Sequence, residues 1–330
     1  MKRCGLLSGG LLLALVAIGS VSARIGSDLV PEGTLVAVER TQVHLNCTEP
    51  STQAPTLVAL PGLGANSQSF HWLARLLSDK RRVCRIDPIG KGFSPESDGP
   101  RDPDTVIRQL SQALREAGVE PPYVLAGHSF GGTLAHVLAG QHPEDVAGLV
   151  LLDATHPEHL LGGTTEPGKR SLSLRIAVAS VRALSVAADL GLVHLYLNAF
   201  GGLPDEGLPT AVAKVNRSFY RTGKDLRATA LELEAAPQMF ARAAKFLDLG
   251  DLPLLVVTAG KRTDKRRLWN HQQRELAQLS SRARHLTLRD AHHDTLLAHE
   301  RHARRVASAI IGLYGMIPPT QAPRDGSSRR

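Results

Sequence analysis

Apolar runs alternate with helix-like segments along most of this chain, and this alternation limits the possible folds more than any other feature. Most of the runs are apolar at nearly every position, which is typical of strands in a parallel sheet covered on both faces. Eight strands are predicted, at residues 35–39, 42–47, 56–60, 83–87, 123–126, 149–153, 252–259 and 285–288. Helical patterns lie at residues 70–77, 103–117, 130–141, 265–279 and 302–314. We therefore expect an α/β sheet wrapped by helices.

One long interval interrupts this alternation. Residues 157–250 contain no convincing strand, and helical patterns cover residues 169–190, 208–220 and 226–247. An interval of this length greatly exceeds ordinary loop lengths, so we expect a helical cap inserted after the sixth strand. The core would then comprise residues 30–156 and residues 251–317.

The two ends of the chain have compositions unlike the rest. Lys2 and Arg3 precede an apolar run from Leu6 to Ile18, and small side chains follow at Val21 and Ala23. This pattern predicts a signal peptide over residues 1–23, and hence a secreted or periplasmic protein. The alternative is an anchor that holds the protein on a membrane if the segment is retained. Residues 318–330 are polar and rich in proline, which predicts a disordered tail.

Composition excludes several classes of protein. Apolar residues make up 42% of the chain, enough for a sizeable core. The formal net charge is +8, but aromatic residues are only 4% and no nucleic-acid-binding module is present, so we expect no nucleic-acid partner. The three cysteines form no C-x-x-C pair that could hold zinc, and no cofactor is expected. The oligomeric state stays open.

The strongest chemical signal is a serine between two glycines. The segment from Gly127 to Gly131 reads Gly-His-Ser-Phe-Gly and joins a predicted strand to a predicted helix. Glycines on both sides permit a sharp bend that leaves Ser129 exposed at the end of the strand. The N-terminus of the helix would also favour negative charge beside it. Ser129 is therefore the candidate nucleophile.

A serine nucleophile requires a base and an acid that orients the base. The segment Asp290-Ala291-His292-His293-Asp294 follows the last predicted strand, and we take His292 as the base because it lies nearer the strand end. His293 is the alternative.

Two acids fit the orienting role. Asp153 ends a buried strand, where an unpaired carboxylate would be unfavourable. Asp264 follows the seventh strand and lies among several lysines and arginines. It could be an ordinary surface acid in a charged loop. We favour Asp153 and keep Asp264 as the alternative.

Acyl transfer also needs hydrogen-bond donors for the developing oxyanion. The glycine-rich turn after the third strand, Pro61-Gly62-Leu63-Gly64, offers the backbone N–H of Leu63. The second candidate donor is the backbone N–H of Phe130, directly after the serine.

Together these segments resemble the α/β-hydrolase family. The resemblance rests on the turn after Leu60, the loop Asp87-Pro88-Ile89-Gly90-Lys91-Gly92-Phe93-Ser94, the bend at Ser129 and the late histidine, and it spans roughly residues 30–315. The stretch from Leu152 to Pro157 is similar to a group of bacterial serine hydrolases that carry a cap. Many relatives have histidine at the position of Pro61, and glycine before the late histidine.

The family resemblance implies a mostly parallel sheet of eight strands, in which the second strand runs antiparallel beside the fourth. That arrangement would bring Cys47 near Cys84 and implies a disulfide between them if the chain is exported. The family places the acid after either of two strands, so it leaves both Asp153 and Asp264 open.

The implied activity is hydrolysis of a carboxylic ester of a mostly apolar small molecule through an acyl-enzyme. The apolar residues expected to shape the pocket from the cap are Leu195, Leu197, Phe200, Phe219, Met239 and Phe240. Amidases, acyltransferases and cofactor-free haloperoxidases share this fold and remain alternatives, as does a binding protein without catalysis.

Overall fold

A computed structural model describes residues 32–49, 55–158, 171–200, 207–261 and 267–318. Eight strands form one sheet in the order β1-β2-β4-β3-β5-β6-β7-β8. They are β1 (Thr34–Val38), β2 (Thr41–Cys47), β3 (Leu57–Leu60), β4 (Val83–Asp87), β5 (Tyr123–His128), β6 (Val146–Leu152), β7 (Leu254–Ala259) and β8 (Ala283–Leu288). Only the β1–β2 and β2–β4 pairings are antiparallel. The predicted eight-stranded, mostly parallel sheet is confirmed.

Ten α-helices lie within the described ranges. They are α1 (His71–Leu77), α2 (Pro103–Glu116), α3 (Phe130–Gln141), α4 (Leu172–Asp189), α5 (Leu192–Phe200), α6 (Thr210–Phe219), α7 (Gly223–Ala243), α8 (Arg267–Leu276), α9 (Thr295–Ala298) and α10 (Glu300–Tyr314). Short 3₁₀ turns cover Ser67–Phe70 and Pro143–Asp145. Asp102 caps the start of α2 by accepting a hydrogen bond from the backbone N–H of Thr105.

Helices cover both faces of the sheet. Alternate strand residues point to opposite faces, so Leu125 packs in a cluster with α2, α3 and α7, while its neighbour Val124 packs in a second cluster with α1 and α10. Both side chains are fully buried. Burial on both faces explains why the central strands, such as β3, β5, β6 and β7, are apolar in continuous runs rather than at alternate positions.

Four helices, α4 to α7, lie between β6 and β7. Leu174 and Val178 on α4 pack against Ala230 on α7 and form a small separate core. The helix α5 was not predicted, because no helical pattern was assigned to residues 192–200. It begins after Gly191, whose φ of 75° ends α4 in a left-handed turn.

Several predictions fall on or near residues that the structure does not describe. The proposed signal peptide, Asp264 and residues 319–330 lie outside the described ranges. On α5, Leu195 and Leu197 are partly buried, and the side chain of Phe200 also lies outside what is described. No helix in the described part of the chain is long and apolar enough to span a membrane.

The edge hairpin is joined to the centre of the sheet by a disulfide. Cys47 at the end of β2 is the register partner of Cys84 in β4, and the two residues are bonded through their sulfurs. The antiparallel pairing of these strands brings the two side chains together, in the arrangement that the family resemblance implied.

Candidate active site

The bend between β5 and α3 carries Ser129. Its φ is 53°, in the left-handed region that residues other than glycine rarely adopt. A Cβ at position 127 would collide with the backbone of Gly131, and a Cβ at position 131 would collide with the carbonyl oxygen of Leu60. Glycine at both positions therefore permits the close crossing that leaves Ser129 partly exposed at the N-terminus of α3.

Backbone hydrogen bonds connect this bend to the loop after β6. The N–H of Ser129 donates to the carbonyl oxygen of Leu152 at 3.1 Å, and the N–H of Thr155 donates to the carbonyl oxygen of Ser129 at 3.0 Å. Asp153 lies between these two contacts and also has a positive φ, 44°. Ser129 and Asp153 therefore occupy adjacent strand ends, both in conformations that the surrounding structure must hold.

Asp153 is fully buried, and its carboxylate has three described partners. Oδ1 accepts hydrogen bonds from the backbone N–H of Ala259 at 3.1 Å and from Nε1 of Trp269 at 2.8 Å. Oδ2 lies 2.7 Å from Nδ1 of His293. These contacts compensate the buried charge and fix the carboxylate so that it can orient the histidine ring.

The two late histidines have different surroundings. His293 contacts Asp153, whereas the side chain of His292 is exposed. This geometry favours the alternative base, His293, over His292. Ala291 is fully buried, and its carbonyl oxygen accepts a hydrogen bond from the N–H of Lys261. The side chain of Ala291 therefore faces the protein interior, that of His292 faces solvent, and that of His293 faces the interior again.

Two aromatic side chains hold the His293 ring from different sides. The ring of His128 lies 4.5 Å from it between centroids, and Trp269 meets it edge to face at 5.8 Å. Nε2 of His128 lies 3.2 Å from the backbone carbonyl oxygen of His293. Burial, and then the neighbouring His293 ring, lower the pKa of His128 to about 3. The His128 ring is therefore neutral at pH 7 and donates from Nε2 to that carbonyl.

The glycine-rich turn after β3 approaches the serine closely. A Cβ placed on Gly62 would lie 3.1 Å from the Cβ of Ser129, tighter than most real contacts between such atoms. In the part of the chain that the structure describes, neither Leu63 nor Phe130 donates its backbone N–H to an internal acceptor. Both candidate oxyanion donors are thus available beside Ser129.

A carboxylate from the inserted helices supports the same turn. Oε2 of Glu232, on α7, accepts a hydrogen bond from the backbone N–H of Gly64 at 2.9 Å. Gly64 directly follows Leu63, so Glu232 fixes the peptide next to a candidate oxyanion donor. Sequence reasoning missed Glu232, because it lies 168 positions from Gly64 along the chain.

Lys91 joins this carboxylate to the loop after β4. Its side chain is fully buried, with Nζ 3.9 Å from Oε2 of Glu232. Nζ also donates to the carbonyl oxygen of Asp225 at 2.8 Å and to the hydroxyl of Thr229. Burial lowers the pKa of Lys91, and the carboxylates of Glu232 and Asp225 oppose that shift. Asp225, Thr229 and Glu232 lie on successive turns of α7, so one helix face is held against the site loops.

A cavity of about 100 Å³ begins beside the bend. Ser129 does not line it, but the next residue, Phe130, does. Its lining is mainly apolar and includes Leu60, Pro61, Ile86, Leu110, Phe130 and Met239. Arg101, Gln109 and Glu232 add polar groups. The cavity therefore offers an apolar space next to Phe130, one of the two candidate oxyanion donors.

The predicted pocket residues of the insertion have different positions. Met239 lines the cavity. Phe240 is buried and packs edge to face against Phe130 with centroids 5.8 Å apart. Phe219 packs in the same way against Phe93 at 4.9 Å. The two phenylalanines thus attach the insertion to the core, and only Met239 among these three lines the cavity.

One group of potential metal ligands occurs in the described ranges, away from Ser129. His142, Glu144 and Asp145 lie close together at the 3₁₀ turn before β6. All three are at least partly exposed. They lie at the opposite end of β6 from Asp153, so they contribute nothing to the arrangement around Ser129.

The fold and this arrangement define a hydrolase of the α/β class, and comparison with known proteins agrees. The family model described as "alpha/beta hydrolase fold" matches residues 55–300, so the chain belongs to that family. A solved structure of the enol-lactonase from Burkholderia xenovorans LB400 superposes with a TM-score of 0.60 at 20% identity, covering 86% of this chain and 100% of that one. At this identity the likeness concerns the fold alone.

Curated relatives include lipases. Lipase LipV of Mycobacterium tuberculosis is 35% identical over 111 residues, covering 34% of this chain and 41% of the relative. The sn-1-specific diacylglycerol lipase ABHD11 of Mus musculus is 36% identical over 115 residues, covering 33% of this chain and 35% of the relative. In five of the curated relatives, these two lipases included, the matched region spans about a third to a half of the relative's own length.

Proposed function

We propose that this protein is a serine hydrolase that cleaves a carboxylic ester of a mostly apolar small molecule through an acyl-enzyme. The observation that carries the proposal is the contact of His293 with the buried carboxylate of Asp153 at the strand end next to Ser129. A serine, an acid and a histidine in this order along the chain form the usual triad of the fold.

Each residue has a defined role in the proposed reaction. The hydroxyl oxygen of Ser129 attacks the ester carbonyl carbon, and Nε2 of His293 takes the hydroxyl proton. Asp153 accepts a hydrogen bond from Nδ1 of His293, which leaves Nε2 free as the base and stabilises the imidazolium. The proton then passes to the alcohol as the ester C–O bond breaks. Water, activated by the same histidine, releases the acid from Ser129.

The negative oxygen formed in both steps would be bound by two backbone N–H groups, those of Leu63 and Phe130. Removing one such donor in comparable enzymes lowers kcat by about 10²–10³. The Glu232 contact to Gly64 supports this assignment, because it holds the Leu63–Gly64 peptide without using the N–H of Leu63.

The mainly apolar cavity beside Phe130 supports an apolar acyl or alcohol group as part of the substrate. Sequence relatives named as lipases and a structural neighbour named as an enol-lactonase act on esters according to their names, and this favours ester over amide substrates. The inserted helix α7 supplies Met239 to the cavity wall, which is consistent with the insertion acting as a substrate-shaping cap.

The test is hydrolysis of p-nitrophenyl esters with acyl chains of increasing length, by the wild type and by Ser129→Ala. We expect a preference within the series and loss of activity in the variant. Labelling by a fluorophosphonate should modify Ser129 in the folded wild type. Ester hydrolysis that survives Ser129→Ala, or folded protein that is never labelled, would remove the serine mechanism and favour a binding role.

We further propose that the protein works outside the reducing cytoplasm. The disulfide between Cys47 and Cys84 supports this, because such bonds persist in oxidising compartments. Mass analysis of native protein after thiol alkylation, with and without prior reduction, tests the proposal. We expect a mature chain without residues 1–23. Cys47 and Cys84 should be alkylated only after prior reduction. Two free thiols, with the N-terminal segment retained, would contradict it.

A further inference from the structure

Helix α4 has two apolar faces, and within the described part of the chain only one of them packs against another element. Its inner face, with Leu174 and Val178, packs against α7. On its outer side, large apolar residues are exposed, with Leu172 at 70% and Ile176 at 57% exposure. A surface helix of an ordinary monomer has one apolar stripe and one polar face. The outer face of α4 therefore needs an explanation.

The exposed residues form a regular seam. The seam consists of Leu172, Ile176, Ala179, Ala183, Val186 and Leu190, all of them exposed. Their spacings alternate between four and three residues, which is the heptad pattern by which one helix packs along another. The seam covers about 27 Å of helix at 1.5 Å per residue. Its period indicates another helix as the partner.

The seam is also symmetric about position 181. When two copies run antiparallel, Leu172 meets Leu190, Ile176 meets Val186 and Ala179 meets Ala183. Residues of similar size thus face each other, with large side chains at both ends and alanines at the centre. Small central residues let two helix axes approach closely at a twofold axis. Weakly apolar alanines at the centre favour a helix over a lipid surface.

The charges beside the seam fit the same arrangement. In an antiparallel pair, Arg175 of one copy faces Asp189 of the other, on both sides of the axis. Asp189 is half exposed and already pairs with Arg227 through one oxygen, Oδ2. Arg182 lies near the axis, and Glu234 of its own chain neutralises it at 2.8 Å.

From this pattern we infer that the protein forms a homodimer through antiparallel pairing of α4 with α4 of a second copy. One seam of this length buries less than the roughly 800 Å² per partner of a standard interface. The dimer therefore belongs with the weak, transient assemblies that small interfaces form. It joins the two copies through their insertions, and neither the disulfide nor Ser129 takes part in it.

Sedimentation equilibrium from about 1 to about 200 μM protein tests the inference. The wild type should shift from monomer to dimer, and Ile176→Glu should remain monomeric. Leu268→Glu is the matched control, because Leu268 is an equally exposed leucine, at 64%, on α8 and outside the seam. Thermal unfolding checks that both variants fold. A wild type that stays monomeric, or an Ile176→Glu variant that dimerises equally, overturns the inference.

Cross-linking tests the register. The double variant Ala179→Cys/Ala183→Cys should form a covalent dimer on mild oxidation, visible on a non-reducing gel. Ala179→Cys alone should cross-link poorly, because residue 179 of one copy faces residue 183, not residue 179, of the second copy. Equal cross-linking by the single variant contradicts the antiparallel register. Binding of neutral phosphatidylcholine vesicles by a monomeric wild type, abolished by Ile176→Glu, would assign the seam to a lipid surface instead.

Discussion

The Nδ1 atom of His293 lies 2.7 Å from the Oδ2 atom of Asp153, and the two residues are 140 positions apart along the chain. The carboxylate is fully buried, while a third of the histidine side chain is exposed. The arrangement leaves the other ring nitrogen of His293 free for chemistry at the surface of the site.

Replacement of Asp153 by asparagine should lower kcat for p-nitrophenyl esters by about 10²–10⁴, because an amide no longer stabilises the imidazolium or selects the correct tautomer. Asp290→Asn is the control, since Asp290 is an exposed acid in the same loop that pairs with Arg305. Full activity in Asp153→Asn, together with a loss in Asp264→Asn, would transfer the orienting role to Asp264.

The adjacent histidines should differ sharply on substitution. His293→Ala should reduce kcat by at least about 10³, because the base is lost. His292→Ala should retain nearly full kcat, since that side chain is exposed. Steady-state kinetics on one ester substrate compares the two variants directly. The reverse outcome would restore His292 as the base.

Glu232 should affect turnover more than substrate binding. Glu232→Leu releases the N–H of Gly64, so the Leu63 donor is less well placed and kcat should fall about tenfold, with little change in KM. Glu232→Gln keeps an acceptor for Gly64 and should recover most of the loss. Glu234→Leu, two residues further along α7, is the control because Glu234 pairs with Arg182 instead. Equal kcat in Glu232→Leu and wild type would remove the supporting role.

His128 should make stability depend on pH. Its pKa is about 3 in the folded protein and about 6.5 when unfolded, so the unfolded chain binds the proton first as pH falls. Its contribution is complete above pH 6.5 and is lost progressively towards pH 3. Between pH 7 and pH 5 this one group should lower the free energy of unfolding by about 2 kcal/mol.

Urea unfolding at both pH values measures that loss. His128→Asn removes the titrating group and keeps a donor for the carbonyl oxygen of His293. The variant should therefore lose about 2 kcal/mol less stability than the wild type between pH 7 and pH 5. An identical loss in both proteins would show that His128 is not held neutral by folding.

Much of the fold could be predicted because short segments of the sequence indicate its strands and its bend. Strands such as β5 and β7 are continuous apolar runs, and the bend at Ser129 is marked by glycines that are close in sequence. The start of β6 was predicted three residues late, since Val146-Ala147-Gly148 is only weakly strand-like. Helix α5 was not predicted at all, although the helical pattern before it was ended at Leu190, directly before Gly191.

The site was predictable only in part, for a different reason. Chain order pointed to a late histidine, but the choice between two adjacent residues depends on which side chain the turn at Ala291 directs inward. Trp269, His128 and Glu232 each contact a site residue or its supporting turn through long-range packing. No local pattern links Trp269 to Asp153, because their contact exists only after α8 packs near the end of β6.

The position of Glu232 on α7 has a consequence for how this protein could diversify. Glu232, Ala235 and Met239 follow one another along α7, so the residue that holds the oxyanion turn and part of the cavity wall belong to one helix. A shift of α7 that admits a bulkier substrate would also move Glu232 relative to Gly64. Substrate range and turnover rate would then change together during evolution. A related enzyme that acquired a wider substrate range would need new contacts to hold the oxyanion turn.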